Sequence, residues 1–243
     1  MMAQVKHLRI VILALVAVLL SGTLLAAQQP QPVPTAEHVV INFLLPIDTN
    51  SVNMLLAIVN AQVRTGVKKI TIVISSPGGD TTAAFAAYNI LRNVPAEITT
   101  FNAGNIDSAA ILIYCAGKHR YSFAAPARFL LHSNALTLGA AVPLDYNFLD
   151  AQLQQIRSLN QMVVQVVAAS SNKKASEVED AMHGQTILTP EQAKQWGIVQ
   201  EIRSTFMEPG AVLISVDSLP PDKKSTPEYS TIQPTVSAGS PTQ

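Results

Sequence analysis

Three short stretches of the sequence contain the residue types that acyl-transfer chemistry requires. They are "SSPGGD" at 75–80, Ser108 within "GNIDSAA", and His132 at the end of "ARFLLH". A serine hydroxyl can attack a carbonyl carbon, a histidine can take the hydroxyl proton, and backbone N–H groups of a glycine turn can hold the developing oxyanion. Taken singly, the stretches have simpler explanations as a tight turn, a helix N-cap and a surface histidine. Their combination predicts a serine nucleophile.

The residues near Ser108 argue against an α/β-hydrolase serine site and against a cysteine nucleophile. The α/β-hydrolase elbow G-x-S-x-G is absent, because Ser108 is followed by two alanines. The single cysteine, Cys115, cannot form an internal disulfide, and its apolar neighbours in "ILIYCAG" indicate a buried core residue rather than a nucleophile. We predict no bound cofactor and no metal ion.

The elements that must position these residues follow an α/β pattern. Apolar, β-branched runs predict strands at 38–45, 69–74 and 96–101, and the segments between them predict helices at 51–66 and 81–94. Strand, helix and strand at this spacing imply right-handed crossovers and a mostly parallel sheet. Further elements are predicted as a helix at 108–117, strands at 119–123 and 127–132, helices at 145–171, 175–182 and 189–197, and a strand at 198–202.

The composition describes an apolar, neutral chain. Of 243 residues, 48% are hydrophobic and 13% are charged, and the formal net charge is zero. This length is enough for one substantial core or for two small ones. Because no basic block is present, we predict no binding of nucleic acid.

The two ends differ in composition from this domain. Residues 1–27 have a basic start and an apolar run, which is typical of a signal peptide, with an uncleaved membrane anchor as the alternative. Residues 28–37 form a Pro/Gln linker, 38–216 the folded domain, and 217–243 a Pro/Ser/Thr-rich tail predicted to be disordered. We therefore expect an exported protein that is periplasmic, secreted or membrane-anchored.

Four motifs in register resemble the proteolytic subunit of the Clp protease, within the wider Clp–crotonase superfamily. They are "ISSPGGD", "GNIDSAA", "FLLHSN" and "ILTPEQAKQWGIVQEI", and the similarity runs from about residue 38 to 203. The resemblance implies an α/β fold of repeated β-β-α units with a protruding long handle helix. It also implies that Ser108 is the nucleophile, that His132 is the general base, and that the N–H groups of Ala109 and of Gly78, or Gly79, form the oxyanion hole.

The third member of the family's catalytic triad is an aspartate, and its position here is ambiguous. Counting back without gaps from Ile187 places it on Ala181, one residue after Asp180. Either a one-residue shift brings Asp180 to His132, or the site works as a dyad. We expect Asp180 to be the carboxylate that matters, with Asp107 as a helix cap.

The resemblance implies a serine endopeptidase that acts on peptides or unfolded proteins and assembles as a homo-oligomeric ring. The helix within 144–170 would pack against its mate in such an assembly. With an export signal, the protein would work without an ATP-driven unfoldase. One alternative is a catalytically silent Clp-like assembly or binding protein. Another is a crotonase-type enzyme acting on acyl-CoA, which we disfavour because no adenine-nucleotide pocket is evident.

Overall fold

The structure is a computed structural model that describes residues 37–136 and 145–216. Within these residues eight strands form one sheet, in which the order β6-β5-β3-β2-β1-β8 forms the main path and β4 pairs with β3 and β7. The predicted signal peptide or anchor at 1–27, nearly all of the predicted linker, and the tail from 217 lie outside the described residues. The elements are β1 His38–Phe43, α1 Thr49–Arg64, β2 Lys69–Ser76, α2 Thr81–Leu91, β3 Glu97–Asp107, α3 Ala110–Cys115, β4 His119–Ser122, β5 Arg128–Leu131, α4 Tyr146–Ala169, α5 Ala175–His183, β6 Thr186–Leu188, α6 Pro190–Gln195, β7 Glu201–Ile202 and β8 Val212–Ser215.

The predicted parallel α/β arrangement is confirmed. β1, β2 and β3 pair in parallel, and α1 and α2 connect them. The continuous apolar run of β2 is buried from Ile70 to Ile74, as expected for a strand covered on both faces. Both connecting helices begin at an aspartate N-cap, Asp48 for α1 and Asp80 for α2, whose carboxylates accept backbone N–H groups of the first turn.

β3 is longer than the predicted 96–101, because its second half joins a different neighbour. Residues 99–102 pair with β4, whereas residues 105–107 pair with β5. Asn102, at the branch, donates from its side chain to the carbonyl of Arg128 and accepts from the N–H of Gly104. This branch carries the polar end of β3 towards β5.

The two helices α3 and α4, which follow β3, differ in how far they are buried. Every residue of the short α3 is buried, which anchors the segment that follows Ser108. α4 has 24 residues and is about 36 Å long at 1.5 Å per residue. Only its second half contains buried positions, from Val163 to Val167, whereas Tyr146, Leu149 and Leu153 in its first half are exposed.

Several element boundaries differ from the sequence prediction. The helix predicted from Ser108 begins at Ala110, since β3 extends to Asp107 and a turn intervenes. The strand predicted at 198–202 is reduced to Glu201–Ile202, and neither β6 nor β8 was predicted. Among the residues that the structure describes, no helix is both long and apolar enough to cross a membrane.

Candidate active site

Ser108 lies in a strained turn between β3 and α3. Its φ is +56°, in the left-handed region that non-glycine residues rarely adopt, at a cost of about 1–2 kcal/mol. Its backbone N–H donates a 2.9 Å hydrogen bond to the carbonyl of Leu130 on β5. Its hydroxyl makes no hydrogen bond to any described residue, and α3 begins without a side-chain cap. Ser108 is therefore not a capping residue. Its side chain is half-buried, and its hydroxyl has no hydrogen-bond partner among the described residues.

His132 directly follows β5 and leaves the sheet beside Ser108. Asp107 and Leu130 are paired in the parallel ladder of β3 and β5, so Ser108 and His132 emerge from neighbouring strands at the same end. Adjacent strands are about 4.8 Å apart, so the two residues lie near each other, and no hydrogen bond joins Ser108 Oγ to His132 Nε2 in this structure.

The imidazole of His132 has a defined orientation. Its Nδ1 lies 2.7 Å from the carbonyl oxygen of Ser133. Because a carbonyl oxygen only accepts, Nδ1 carries the proton in this arrangement and Nε2 is left as the basic nitrogen. Within the described part of the chain, Nε2 has no hydrogen-bond partner. This is the tautomer that a general base needs.

The turn at Gly78 and Gly79 packs directly on Ser108. Both glycines have positive φ, +84° and +145°, and a Cβ on Gly78 would lie 2.7 Å from the Cβ of Ser108 and 3.0 Å from the nitrogen of Ala109. Ile47 holds the turn by donating to the carbonyl of Gly78 and accepting from the N–H of Asp80, both at 2.8 Å. The chain can approach Ser108 this closely only because Gly78 has no side chain.

The N–H groups around Ser108 differ in availability. The N–H of Gly78 donates to the hydroxyl oxygen of Ser76 at 3.2 Å. The N–H groups of Gly79 and Ala109 make no hydrogen bond to any described residue. Of the donors predicted from the sequence, Gly79 and Ala109 are therefore free to receive an oxyanion.

Asp180 is not brought to His132 in this structure. It lies on the exposed side of α5, and its carboxylate makes no hydrogen bond or ion pair with any described residue. Its neighbour Ala181 is buried, and the carbonyl of Met182 accepts the N–H of Ser133. Since successive helical residues point about 100° apart, the side of α5 that meets the histidine loop carries Ala181. The Nδ1 partner of His132 is a backbone carbonyl rather than the expected carboxylate.

Gln185 is a strained residue that the sequence analysis did not single out. β5 and β6 are antiparallel and their pairing ends at Leu131 and Thr186, so His132 and Gln185 each lie one residue beyond the last pair. Gln185 has a φ of +51°, and with Ser108 it is one of two non-glycine residues with positive φ in the described ranges. Backbone strain of this kind tends to cluster at functional sites. Ser108 follows β3 and Gln185 precedes β6, the strands on either side of the β5 segment that leads to His132, a relationship that requires the sheet register to be known.

Asp107 does not cap the helix, contrary to our expectation. It ends β3 and accepts a 2.7 Å hydrogen bond from the guanidinium of Arg128 on β5, which raises the pKa of Arg128. The Asp107 side chain is nearly buried, and its second oxygen, Oδ1, has no hydrogen-bond partner among the described residues. The pair ties β3 to β5 beneath the turn that carries Ser108.

Cys115 is confirmed as a core residue. It ends α3 with no exposed surface, and burial raises its pKa from 9.0 to about 11. The neighbouring Tyr114 is also fully buried, which raises its pKa well above 10.0, and its hydroxyl donates to the carbonyl of Tyr121. A thiol that keeps its proton is a poor nucleophile, which agrees with a structural role for Cys115.

Comparison with known proteins shows the family to which the chain belongs. A search with protein-family profiles matches residues 36–205 to the family described as Clp protease. The chain therefore belongs to the Clp protease family, as the sequence motifs predicted.

The curated relatives are proteolytic subunits. ATP-dependent Clp protease proteolytic subunit 2 of Corynebacterium jeikeium is 31% identical over 56% of this chain and 64% of its own length. Proteolytic subunit 1 of Rhodococcus jostii is 30% identical over 56% of this chain and 60% of its own length, and subunit 2 of Borreliella burgdorferi is 32% identical over 57% and 68%. The alignments thus span about three-fifths to two-thirds of these relatives.

A solved structure confirms the fold class. The structure of a mutant ClpP1 from Listeria monocytogenes superposes with a TM-score of 0.61, covering 70% of this chain and 93% of that protein at 19% identity. The predicted Clp-type α/β fold is therefore correct.

Proposed function

We propose that this protein is a serine peptidase in which Ser108 and His132 act as a catalytic dyad. The observation that carries the proposal is the position of Ser108, strained at φ +56° and directly against Gly78 at the end of the strand next to His132. A serine held at a cost in backbone energy, with its hydroxyl free of partners in the described residues, has the properties of a nucleophile rather than of a cap.

The proposed mechanism uses groups whose positions are described above. As Ser108 Oγ bonds to the scissile carbonyl carbon, its proton passes to Nε2 of His132. The carbonyl oxygen becomes an oxyanion that accepts hydrogen bonds from the backbone N–H groups of Ala109 and Gly79. The C–N bond then breaks and the amine leaves with the proton from His132. Water, deprotonated by the same nitrogen, hydrolyses the acyl-enzyme and regenerates the serine.

The proposed substrates are peptides or accessible segments of unfolded proteins, by relation to the family. We propose that the protein acts outside the cytosol, on the strength of the sequence of residues 1–27, and therefore without an ATP-driven unfoldase. The same segment would provide the membrane association if it is retained.

Self-association is proposed through the first half of α4. Tyr146, Leu149 and Leu153 are 80%, 43% and 51% exposed and recur at helical spacing, so they form an apolar stripe on one side of the helix. A second copy of the chain is the proposed partner, in a closed ring as in the family. Leu153→Glu is expected to lower the sedimentation coefficient of the purified protein. Ile90→Glu, at a residue that is 42% exposed on α2, serves as the control. A concentration-independent monomer in the unmodified protein would contradict self-association.

A second candidate function is a catalytically weak Clp-like assembly or binding protein. The observation in its favour is that His132 has a carbonyl rather than a carboxylate at Nδ1, and an imidazole without an anionic partner is a less effective base. Under this alternative the apolar stripe on α4 would still support assembly.

Covalent labelling separates the two candidates. A fluorophosphonate probe is expected to label the purified protein at Ser108, and Ser108→Ala is expected to remove both labelling and peptide hydrolysis. Ser122→Ala is the matched control, because Ser122 is a buried serine whose hydroxyl donates to the carbonyl of Phe123. Absence of labelling and hydrolysis in the folded wild-type protein would favour the assembly role.

A further inference from the structure

A chain of hydrogen bonds connects the imidazole of His132 to the long helix α4. It starts at the Ser133 carbonyl, which accepts from Nδ1 at 2.7 Å, while the N–H of Ser133 is held by the carbonyl of Met182 at 3.1 Å. The next residue, Asn134, donates to the side-chain oxygen of Asn160 on α4. The loop after the histidine is thus fixed by α4 on one side and by α5 on the other.

Asn134 is bound by three side-chain-mediated hydrogen bonds. Its backbone N–H and its side-chain amide both donate to Oδ1 of Asn160, each at 2.8 Å. Its own Oδ1 accepts from the hydroxyl of Thr81. Thr81 is 7% exposed and is the first residue of α2, immediately after the glycine turn that packs on Ser108. We call Thr81, Asn134 and Asn160 the asparagine clamp.

The asparagine clamp fixes the carbonyl of Ser133, which is the group that orients the His132 imidazole. Because Ser133 and Asn134 share a peptide bond, fixing the N–H of Asn134 also fixes the plane of the Ser133 carbonyl. That carbonyl is the only partner of Nδ1 among the described residues, so the tautomer and the ring direction depend on it. In most serine hydrolases a carboxylate performs this task.

We propose that Asn160 is a positioning residue for His132, acting through Asn134 and the Ser133 carbonyl in place of a carboxylate. The proposal deepens the proposed peptidase function and rests on it. It assigns a catalytic consequence to a residue of α4 that touches neither the nucleophile nor the histidine.

The test compares two substitutions at Asn160 that differ in one property. Asn160→Asp keeps an oxygen that accepts both hydrogen bonds from Asn134, whereas Asn160→Leu has a similar size and no acceptor. We expect kcat/KM for a fluorogenic peptide and the rate of fluorophosphonate labelling to fall about 10- to 100-fold in Asn160→Leu, since small misplacements of a catalytic group have effects of this size. Asn160→Asp should stay within about threefold of wild type.

Two controls separate positioning from general stability. Gln161→Leu introduces the same apolar side chain at the next residue, whose own side chain is exposed and makes no hydrogen bond to a described residue, and it should leave the rate unchanged. Urea unfolding of each variant shows what fraction is folded under assay conditions. At the other end of the clamp, Thr81→Val should resemble Asn160→Leu, and Thr81→Ser should resemble wild type.

A spectroscopic measurement tests the clamp independently of activity. In protein labelled with ¹⁵N-histidine, the His132 resonance should show the Nδ1–H tautomer in wild type and Asn160→Asp, and a mixture of tautomers in Asn160→Leu. The proposal is overturned if wild-type His132 carries its proton on Nε2, or if Asn160→Leu keeps the wild-type tautomer and the wild-type rate per folded molecule. If the wild-type protein neither hydrolyses peptides nor is labelled, the peptidase function fails, while the tautomer measurement still decides the clamp.

Discussion

Gly78 lies so close to Ser108 that a methyl group on its Cα would be 2.7 Å from the Cβ of the serine and 2.5 Å from the carbonyl oxygen of Asp107. The contact is between two backbone segments, β2 with its following turn and β3 with its following turn, so neither can retreat without moving a central strand. This one contact therefore fixes the position of the proposed nucleophile relative to the donors of the proposed oxyanion hole.

Gly78→Ala is expected to abolish hydrolysis and to lower the free energy of unfolding. The added Cβ collides with main-chain atoms, which cannot rotate away as a side chain could. Gly66→Ala is the control, because Gly66 also has a positive φ, +94°, but has no atom within 4 Å of the added Cβ. It should cost about 1–2 kcal/mol in stability and keep full activity. Equal effects of the two substitutions would contradict the contact argument.

Ser108→Gly is expected to be inactive but more stable than Ser108→Ala by about 1 kcal/mol, because glycine relieves the strain of a φ near +56° and alanine does not. In a helix, alanine is normally more stabilising than glycine. Ala86→Gly, on the exposed side of α2, should therefore lower the free energy of unfolding by about 1 kcal/mol. Urea denaturation measures all four proteins. If alanine is the more stable residue at position 108 as well, the serine is not strained in solution.

The positions of two motifs of the candidate site could be predicted from the sequence, because each motif follows a predicted strand. The motifs "SSPGGD" and "FLLHSN" each end a buried apolar run, and carboxyl ends of neighbouring parallel strands meet at one edge of a sheet. This reasoning places the motifs at one edge of the sheet, and in the structure Gly78 packs on Ser108 while the strands that precede Ser108 and His132 are neighbours. It did not predict that β3 continues to Asp107, because "NAGNID" is polar and is held in a strand by its pairing with β5.

The parts that could not be predicted depend on contacts between distant segments. Gln185 is brought near His132 only by the antiparallel pairing of β5 and β6. Gap-free counting fell on Ala181 and a one-residue shift gave Asp180, and only the structure shows that Ala181 is buried while Asp180 is exposed on α5. The hydrogen bonds of Asn134 join it to Asn160 on α4, a contact between segments that the local sequence pattern does not predict.

Cys115 predicts a specific dependence of stability on pH. The folded thiol keeps its proton up to a pKa of about 11, whereas the unfolded thiol ionises near 9.0. Above pH 9 the unfolded state therefore binds fewer protons, and the free energy of unfolding decreases as pH rises, by about 2–3 kcal/mol from this group once pH 11 is passed. Below pH 9 the contribution of the group is fully present.

The measurement is urea unfolding of wild type and Cys115→Ala between pH 8 and pH 11. The variant loses packing at every pH, but its stability should fall less steeply above pH 9, and Tyr114 affects both proteins in the same direction. In native wild type at pH 8, a thiol reagent should react with Cys115 only after unfolding. Parallel pH profiles for the two proteins would show that the thiol is not protected as the structure indicates.

The final prediction concerns the carboxylate that His132 lacks. Gln185 and His132 each lie one residue beyond the last pair of β5 and β6, Leu131 and Thr186. Gln185→Asp would place a negative charge beside the ring, and aspartate tolerates a φ of +51° better than most residues. The charge should stabilise the imidazolium that forms during catalysis and raise kcat/KM about 10-fold or more.

Asp180→Asn and Gln185→Asn complete the comparison. Because the Asp180 carboxylate is exposed and makes no contact with His132 in the described structure, Asp180→Asn should leave kcat/KM within about twofold of wild type. Gln185→Asn has the shape of the aspartate without its charge, so it separates electrostatics from packing, and it should not increase the rate. A large loss of activity in Asp180→Asn, with no gain in Gln185→Asp, would instead establish Asp180 as the third member of a triad. His132 would then have to turn from the Ser133 carbonyl to reach it during catalysis.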